Sequence, residues 1–157
     1  MNIVLSRIDE RLVHGQIITS WTKQLLVKRI VIIDSLIAKD SFMTQVLTLA
    51  APSGVTVDIF SVEDALSLLN NETKNVENTM LLFRKIESVL DLVKLGFNLK
   101  ELNVGNMGAG PRRKSISRNV YMTPEEIEVV KDLINIGVYV YLQMLHTDAK
   151  IDIKKQI

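Results

Sequence analysis

Ile3-Val4-Leu5-Ser6-Arg7-Ile8-Asp9-Glu10-Arg11-Leu12-Val13-His14-Gly15-Gln16, near the start of the chain, decides the fold. The apolar run from Ile3 to Leu5 reads as a buried strand; charged residues interrupt it, and an apolar-periodic segment begins at Ile17. His14 therefore stands where a strand hands over to a helix, with Arg7 and Arg11 before it and Gly15 and Gln16 after it. Unpaired N–H groups and the positive end of the helix dipole make such a junction attractive to anions. Two guanidiniums add planar donors matched to phosphate oxygens. An imidazole, with an ordinary pKa of about 6.5, offers a neutral nucleophilic nitrogen there at cell pH. The same residues also fit a plainer arrangement, a capping or packing histidine with arginines paired to Asp9, Glu10 or Asp34. Asp9 can orient a ring nitrogen, hold an arginine in place or cap the loop, and Asp34 has the same readings.

Working outward, the pattern alternates strands with helices. Gln16 to Leu26 carries Ile17, Ile18, Trp21, Leu25 and Leu26 at helical spacing, and Arg29 to Ile33 is a β-branched strand ending at Asp34. A helix is expected over Ala38 to Ala50 with Phe42, Met43, Val46, Leu47 and Ala50 as its apolar stripe. Strands follow at Val55–Phe60, Thr79–Phe83 and Leu102–Val104, with helices from Ser61 to Leu69 and Ser88 to Leu95 between them. Asn119–Met122 reads as a sixth strand, and Thr123-Pro124-Glu125-Glu126 as a strong helix start. Val138 to Leu145 alternates, with Tyr139, Tyr141 and Gln143 on a partly wet face; the tail from Lys150 carries no firm assignment. The expectation is one α/β domain over residues 1–157. Its open, mostly parallel sheet of about six to seven strands is doubly wound and Rossmann-like, with helices on both faces. The carboxyl ends of the strands then share one rim, which collects Arg7, Asp9, Arg11, His14, Asp34, Ser61, Arg84 and the loop from Gly105 to Gly110.

Composition narrows the chemistry. The chain has 157 residues, a net charge of +1, no cysteine and only two histidines, His14 and His146. Balanced charge argues against nucleic acid as a partner. Thiolate metal sites and disulfides are excluded, and no metal or cofactor is called for. Neither a secretory signal nor a membrane-spanning run is evident, so a cytoplasmic subunit is expected. The loop Gly105-Asn106-Met107-Gly108-Ala109-Gly110 has P-loop spacing between its outer glycines, but Pro111 stands where lysine is required. Its glycine order also fails the dinucleotide fingerprint. Backbone N–H groups around Asn106 and Gly108 remain candidates to line a pocket. Arg112, Arg113, Lys114 and Arg118 form a basic cluster that is either solvated or a docking surface for an acidic partner. His146 reads as an exposed loop residue, and Trp21 as core.

The ten positions Arg7 to Gln16 resemble the signature of the enzyme IIB component of the mannose/fructose/sorbose family of the bacterial sugar phosphotransferase system. Glu10 stands where that family more commonly has Asp, and Val13 where it has Ile. Asp34, Ala51-Pro52 with Gly54, the Asn103 to Met107 segment and the terminal helix–strand pair extend the resemblance. It implies that His14 is transiently phosphorylated, on Nδ1, by a IIA phosphodonor protein. The group would then pass to a sugar of mannose, fructose, sorbose or amino-sugar type held by the membrane subunits IIC and IID. Arg7, Arg11 and Asp9 would serve the reaction, with Gly15, Gln16, Asp34, Asn106 and Gly108 in binding roles. Homo-oligomerisation is left open. The competing expectations are a doubly wound module binding a nucleotide or flavin without covalent chemistry, and a regulatory fragment that docks to a partner.

Overall fold

The computed structural model describes residues 1–71 and 76–157. Its strands are β1 (Asn2–Asp9), β2 (Arg29–Ile33), β3 (Thr56–Phe60), β4 (Asn78–Phe83), β5 (Glu101–Asn106), β6 (Lys114–Ser117), β7 (Val120–Met122), β8 (Tyr139–Leu142) and β9 (Ile151–Asp152). Seven of them form one sheet in the order β3-β2-β4-β1-β5-β8-β9, while β6 and β7 make a separate antiparallel hairpin. All pairs in the main sheet are parallel except β8–β9. The helices are α1 (Gly15–Gln24), α2 (Ser41–Leu49), α3 (Val62–Asn71), α4 (Ile86–Lys94) and α5 (Pro124–Ile136).

Alternation along the central strands divides the core. Ile30, Ile32, Met80 and Leu82 pack with Ile18 and Trp21 of α1 and Leu47 of α2. Their neighbours Val31, Ile33, Leu81 and Phe83 turn the other way, onto Val62 of α3, Val89 of α4 and Val130 of α5. Such unbroken apolar runs belong to strands covered on both faces. The chain leaves β1 toward one face and leaves both neighbours, β4 and β5, toward the other. Diverging loops open a crevice at the carboxyl end of β1, and His14 lies there.

The expected doubly wound α/β fold is the observed one, and its departures from the expectation have identifiable causes. Strand β1 continues through Ser6, Arg7, Ile8 and Asp9 instead of stopping at Leu5, because Arg7 finds its polar partners inside the protein. The expected sixth strand is β7, which pairs with β6 in the hairpin and stays out of the main sheet. Tyr141 and Gln143 are buried rather than wet, since β9 returns antiparallel beside β8 and Lys150 lies over the Tyr141 ring. Burial pushes the Tyr141 hydroxyl up to about 12, with the Glu101 carboxylate adding to the shift. In α2, which Asp40 caps through Met43 N, the expected stripe holds only in part: Leu47 is buried and Met43 packs against the core, while Phe42, Val46 and Ala50 are exposed. By contrast α5 begins as expected, with a reciprocal Thr123–Glu126 capping box and Pro124 in its first turn.

Arg7 is the largest fully buried side chain, and Gly105 on the adjoining strand makes room for it. A methyl group at Gly105 would overlap the guanidinium. Gly105→Ala should therefore cost about 3 kcal/mol, from overpacking and a displaced buried charge. The measurement is the urea midpoint at constant m-value; an unchanged midpoint would refute the close approach. On α2, Leu47→Ala should cost about 2–4 kcal/mol. Phe42→Ser, in the same assay, should stay within about 0.5 kcal/mol.

Candidate functional site

Asp9, the last residue of β1, organises the loop that follows. Its Oδ1 accepts from the Arg11 backbone N at 3.0 Å and from Arg11 Nε at 3.1 Å, and its Oδ2 accepts from Arg11 Nη2 at 3.1 Å. That bidentate fork fixes the Arg11 guanidinium, whose Nη1 has no partner among the described residues. On its other side Asp9 Oδ2 meets Arg7 Nη2 at 3.3 Å. Asp9 thus adopts the arginine-holding role among the readings open to it.

The rest of the loop is anchored from below. Leu12 N donates to the Asp9 carbonyl at 2.9 Å, and Leu12 takes a left-handed φ of 56°. Few leucines adopt this conformation, and it persists here because Leu12 and Val13 are both buried in the core on the α1 side. With those two turned inward, His14 is turned out. It is exposed, has extended backbone angles and makes no side-chain capping bond at the start of α1. Gly15, at φ 63°, allows the chain to swing into the helix. The first turn of α1, which includes exposed Gln16, contains no acidic residue. Its N–H groups and positive dipole end therefore face the neighbourhood of His14 uncompensated.

Arg7 does not share this exposure. Its Nη1 donates to Asn103 Oδ1 and to the Gln143 carbonyl, and Nη2 donates to the Met144 carbonyl at 3.1 Å. The guanidinium lies 5.3 Å from the Trp21 ring centroid, and the Trp21 indole N–H donates to the same Met144 carbonyl at 3.0 Å. Burial holds the Arg7 pKa below the ordinary arginine value, and Asp9 opposes that shift. The expectation that Arg7 contacts an incoming phosphoryl group is thereby corrected: its Nη donors are consumed by Asp9, Asn103 and the carbonyls of Gln143 and Met144.

Asp34 and Gly108 are corrected in the same way. The Asp34 carboxylate accepts from Leu36 N and Ile37 N, at 3.0 and 2.9 Å, and from Arg84 Nε at 3.0 Å. It caps the turn after β2 and pins Arg84, which leaves it no free donor-seeking edge. Gly108 N donates to Glu10 Oε2 at 3.0 Å and Met107 N to the Asn119 carbonyl at 3.0 Å, so these N–H groups do not face a ligand. Asn106 ends β5 opposite Asp9, and its carbonyl accepts from Glu10 N. The basic cluster also divides. Arg113 is held between Glu10 and Glu126, Arg112 pairs with Glu125, and Lys114 and Arg118 are exposed. His146 is not an isolated loop residue: its Nε2 lies 2.9 Å from Ser20 Oγ on α1, and its ring meets Trp21 edge-on. Sequence reasoning missed Gln143, and it named Glu10 only as a possible partner of Arg7 or Arg11 and Asn103 only as the start of a loop segment. The helix-start reading of Thr123 to Glu126 gave no sign that Glu126 also pairs with Arg113.

A cavity of about 580 Å³ lies between the β6–β7 turn and the loop after β8, lined by Arg118, Asn119, Gln143 and Asp148 among others, and it does not include His14. Among the described residues no helix is long and apolar enough to cross a membrane, and no group of His, Cys, Asp and Glu is arranged to hold a metal ion.

Known proteins place this geometry in a family. Residues 3–157 match the model of the phosphotransferase system sorbose subfamily IIB component. The sorbose-specific EIIB component of Lacticaseibacillus casei is 36% identical over 157 residues, covering 100% of this chain and 96% of the relative. The mannose-specific EIIAB component of Escherichia coli (strain K12) is 34% identical over 151 residues, 96% of this chain but 47% of that longer protein. The crystal structure of the IIBSor domain of the sorbose permease from Klebsiella pneumoniae superimposes with a TM-score of 0.92 at 32% identity, covering 99% of this chain and 96% of that one. This chain belongs to the sorbose-subfamily IIB components of the sugar phosphotransferase system, and is a phosphoryl-transfer subunit of that system.

Proposed function

We propose that His14 is the residue that carries the phosphoryl group. The observation that supports this reading is an exposed imidazole without a capping bond, beside an acid-free helix start and an arginine fixed in place by Asp9. A ring nitrogen attacks the phosphorus of a phosphohistidine on a IIA protein. As the new N–P bond forms, the N–P bond of the donor breaks, and the donor ring leaves as neutral imidazole. In the second half-reaction a sugar hydroxyl attacks the same phosphorus as the His14 N–P bond breaks, and the hydroxyl proton passes to the released ring, which regenerates neutral His14. Catalysis of this kind is mainly positioning and stabilisation of charge on the equatorial oxygens. Arg11 Nη1 and the first-turn N–H groups of α1 supply that stabilisation, and Asp9 keeps Arg11 from collapsing onto solvent.

The donor reading is supported by the Escherichia coli mannose-specific relative, whose name joins an A and a B part in one chain. Relatives named for sorbose, fructose, mannose and N-acetylgalactosamine all fall at similar identity. The sugar class is therefore that of hexoses and amino sugars, with no single member favoured. The membrane partners are IIC and IID, approached from the cytoplasmic side. A nucleotide or flavin module gains no support, since the backbone donors of Met107 and Gly108 are already engaged.

Intact mass after incubation with the phosphodonor proteins tests the assignment. One acid-labile phosphate is expected on the wild type and none on His14→Ala; retention of the label by that variant would refute it. Arg11→Ala should slow transfer by about a hundredfold, as for loss of one transition-state donor, with little change in thermal midpoint. Loss of folded protein in step with loss of transfer would make Arg11 a structural residue only.

A further inference from the structure

Glu10 stands between Asp9 and Arg11, yet its side chain leaves the His14 loop and crosses to the loop that follows β5. Its Oε2 accepts from Gly108 N at 3.0 Å, and its Oε1 lies 2.6 Å from Arg113 Nη2. Arg113 completes the link: its Nη1 donates to the Gly108 carbonyl at 2.7 Å, so both sides of Gly108 are gripped by the same ion pair. Arg113 is in turn anchored by Glu126, whose Oε1 and Oε2 accept from Nε at 3.0 Å and Nη2 at 2.8 Å. Glu126 cannot move freely, because its Oε1 also accepts from Thr123 N in the α5 capping box. The chain of contacts therefore runs from the rigid start of α5 to the residue four positions before His14. The hydrogen bond that Arg113 donates to the Glu10 carboxylate, with Glu126 acting alongside it, raises the pKa of the Arg113 guanidinium above its ordinary value.

We infer that Glu10 is a positioning residue for phosphoryl transfer, clasped by Arg113 and Gly108 so that the His14 loop and the glycine loop keep one spacing and the Glu10 carboxylate is held against a guanidinium. The inference rests on the assignment of His14 as phosphoryl carrier. Two physical requirements meet in the clasp. A transferred group must be held within a fraction of an ångström of its path, and a displacement of about 1 Å can cost about a hundredfold in rate. A free carboxylate beside the loop would also repel an incoming dianion, whereas one paired to a guanidinium repels it far less. The carboxylate is what makes the clasp, since it offers Gly108 N an acceptor and Arg113 an anion at the same time.

The test uses Glu10→Ala, Glu10→Gln and Arg113→Met in the full chain. Rates are measured with the phosphodonor protein, and Gly108 amide exchange is followed by NMR. Glu10→Ala should lower kcat by about tenfold or more while KM for the phosphodonor changes little, and Gly108 should exchange faster. Glu10→Gln retains an acceptor for Gly108 N and should lose less than Glu10→Ala. Arg113→Met frees the Gly108 carbonyl and removes the cation shared by Glu10 and Glu126, so kcat should fall and Gly108 exchange should rise as in Glu10→Ala. Faster Gly108 exchange in Glu10→Ala with unchanged kcat would overturn the positioning role and leave the His14 assignment intact. A His14→Ala protein that still takes up labile phosphate would instead remove the assignment beneath it, whatever Glu10 does.

Discussion

One carboxylate, Asp9, joins the interior of the sheet to the exposed loop. It is bonded to two arginines that do opposite things. Arg7 is fully buried, its Nη atoms bonded to Asn103 of β5, to Asp9 and to the carbonyls of Gln143 and Met144 just past β8, while Arg11 is partly exposed and its Nη1 has no partner among the described residues. Burying a guanidinium costs several kcal/mol unless its donors are matched, and removing one partner of such a buried pair costs about 3–5 kcal/mol. Four hydrogen bonds match the Nη donors of Arg7, and only its Nε is left without a hydrogen-bond partner among the described residues. Asp9 therefore sits at the end of a rigid lever. The fixed position of Arg7 determines where the carboxylate lies, and the carboxylate determines where Arg11 points.

This arrangement explains which parts were readable beforehand. The core strands were legible because burial on both faces demands continuous apolar runs, as at Ile30–Ile33 and Met80–Phe83. The place of His14 was legible because apolar periodicity changes on either side of it. Arg7 was not. Charge in a sequence suggests solvent, and the partners that reverse this, Asn103 on β5 and the carbonyls of Gln143 and Met144 just past β8, are distant in the chain. Helix α2 failed for a related reason: its apolar residues outnumber what one face can bury, so periodicity alone could not choose between Leu47 and Phe42. The glycine loop misled more subtly. Its glycines suggested open N–H groups, whereas side chains from elsewhere close them.

Two ion networks with opposite net charge flank the loop. Arg7, Asp9 and Arg11 carry two positive charges against one negative, while Glu10, Arg113 and Glu126 carry two negative against one positive. The first lies behind the loop and offers its surplus through Arg11. The second lies across the neighbouring crevice and has its surplus at Glu126, in the first turn of α5, where the dipole of that helix favours negative charge. Charge is thus separated along the rim: attraction for an anion at the His14 end and compensation at the far end. Swapping the sequence positions of Asp9 and Glu10 would not preserve this, since the shorter side chain serves the near arginines and the longer one spans the gap.

The exposure of His14 then follows from the nature of its partners. A cavity enzyme excludes water with its own walls, but His14 does not line the 580 Å³ cavity of this protein. On the proposed role, the ring must be reached in turn by a donor protein and by a membrane-bound acceptor site, and no single fixed cleft could admit both. The fold resolves this by keeping rigid everything beneath the ring, through Leu12, Val13 and Asp9, and leaving its outer side open. Desolvation, which strengthens the contact between a phosphoryl group and a guanidinium, has to come from whichever partner is docked. An isolated subunit built this way protects its phosphorylated form poorly from water, and transfers well only when a partner surface completes the site.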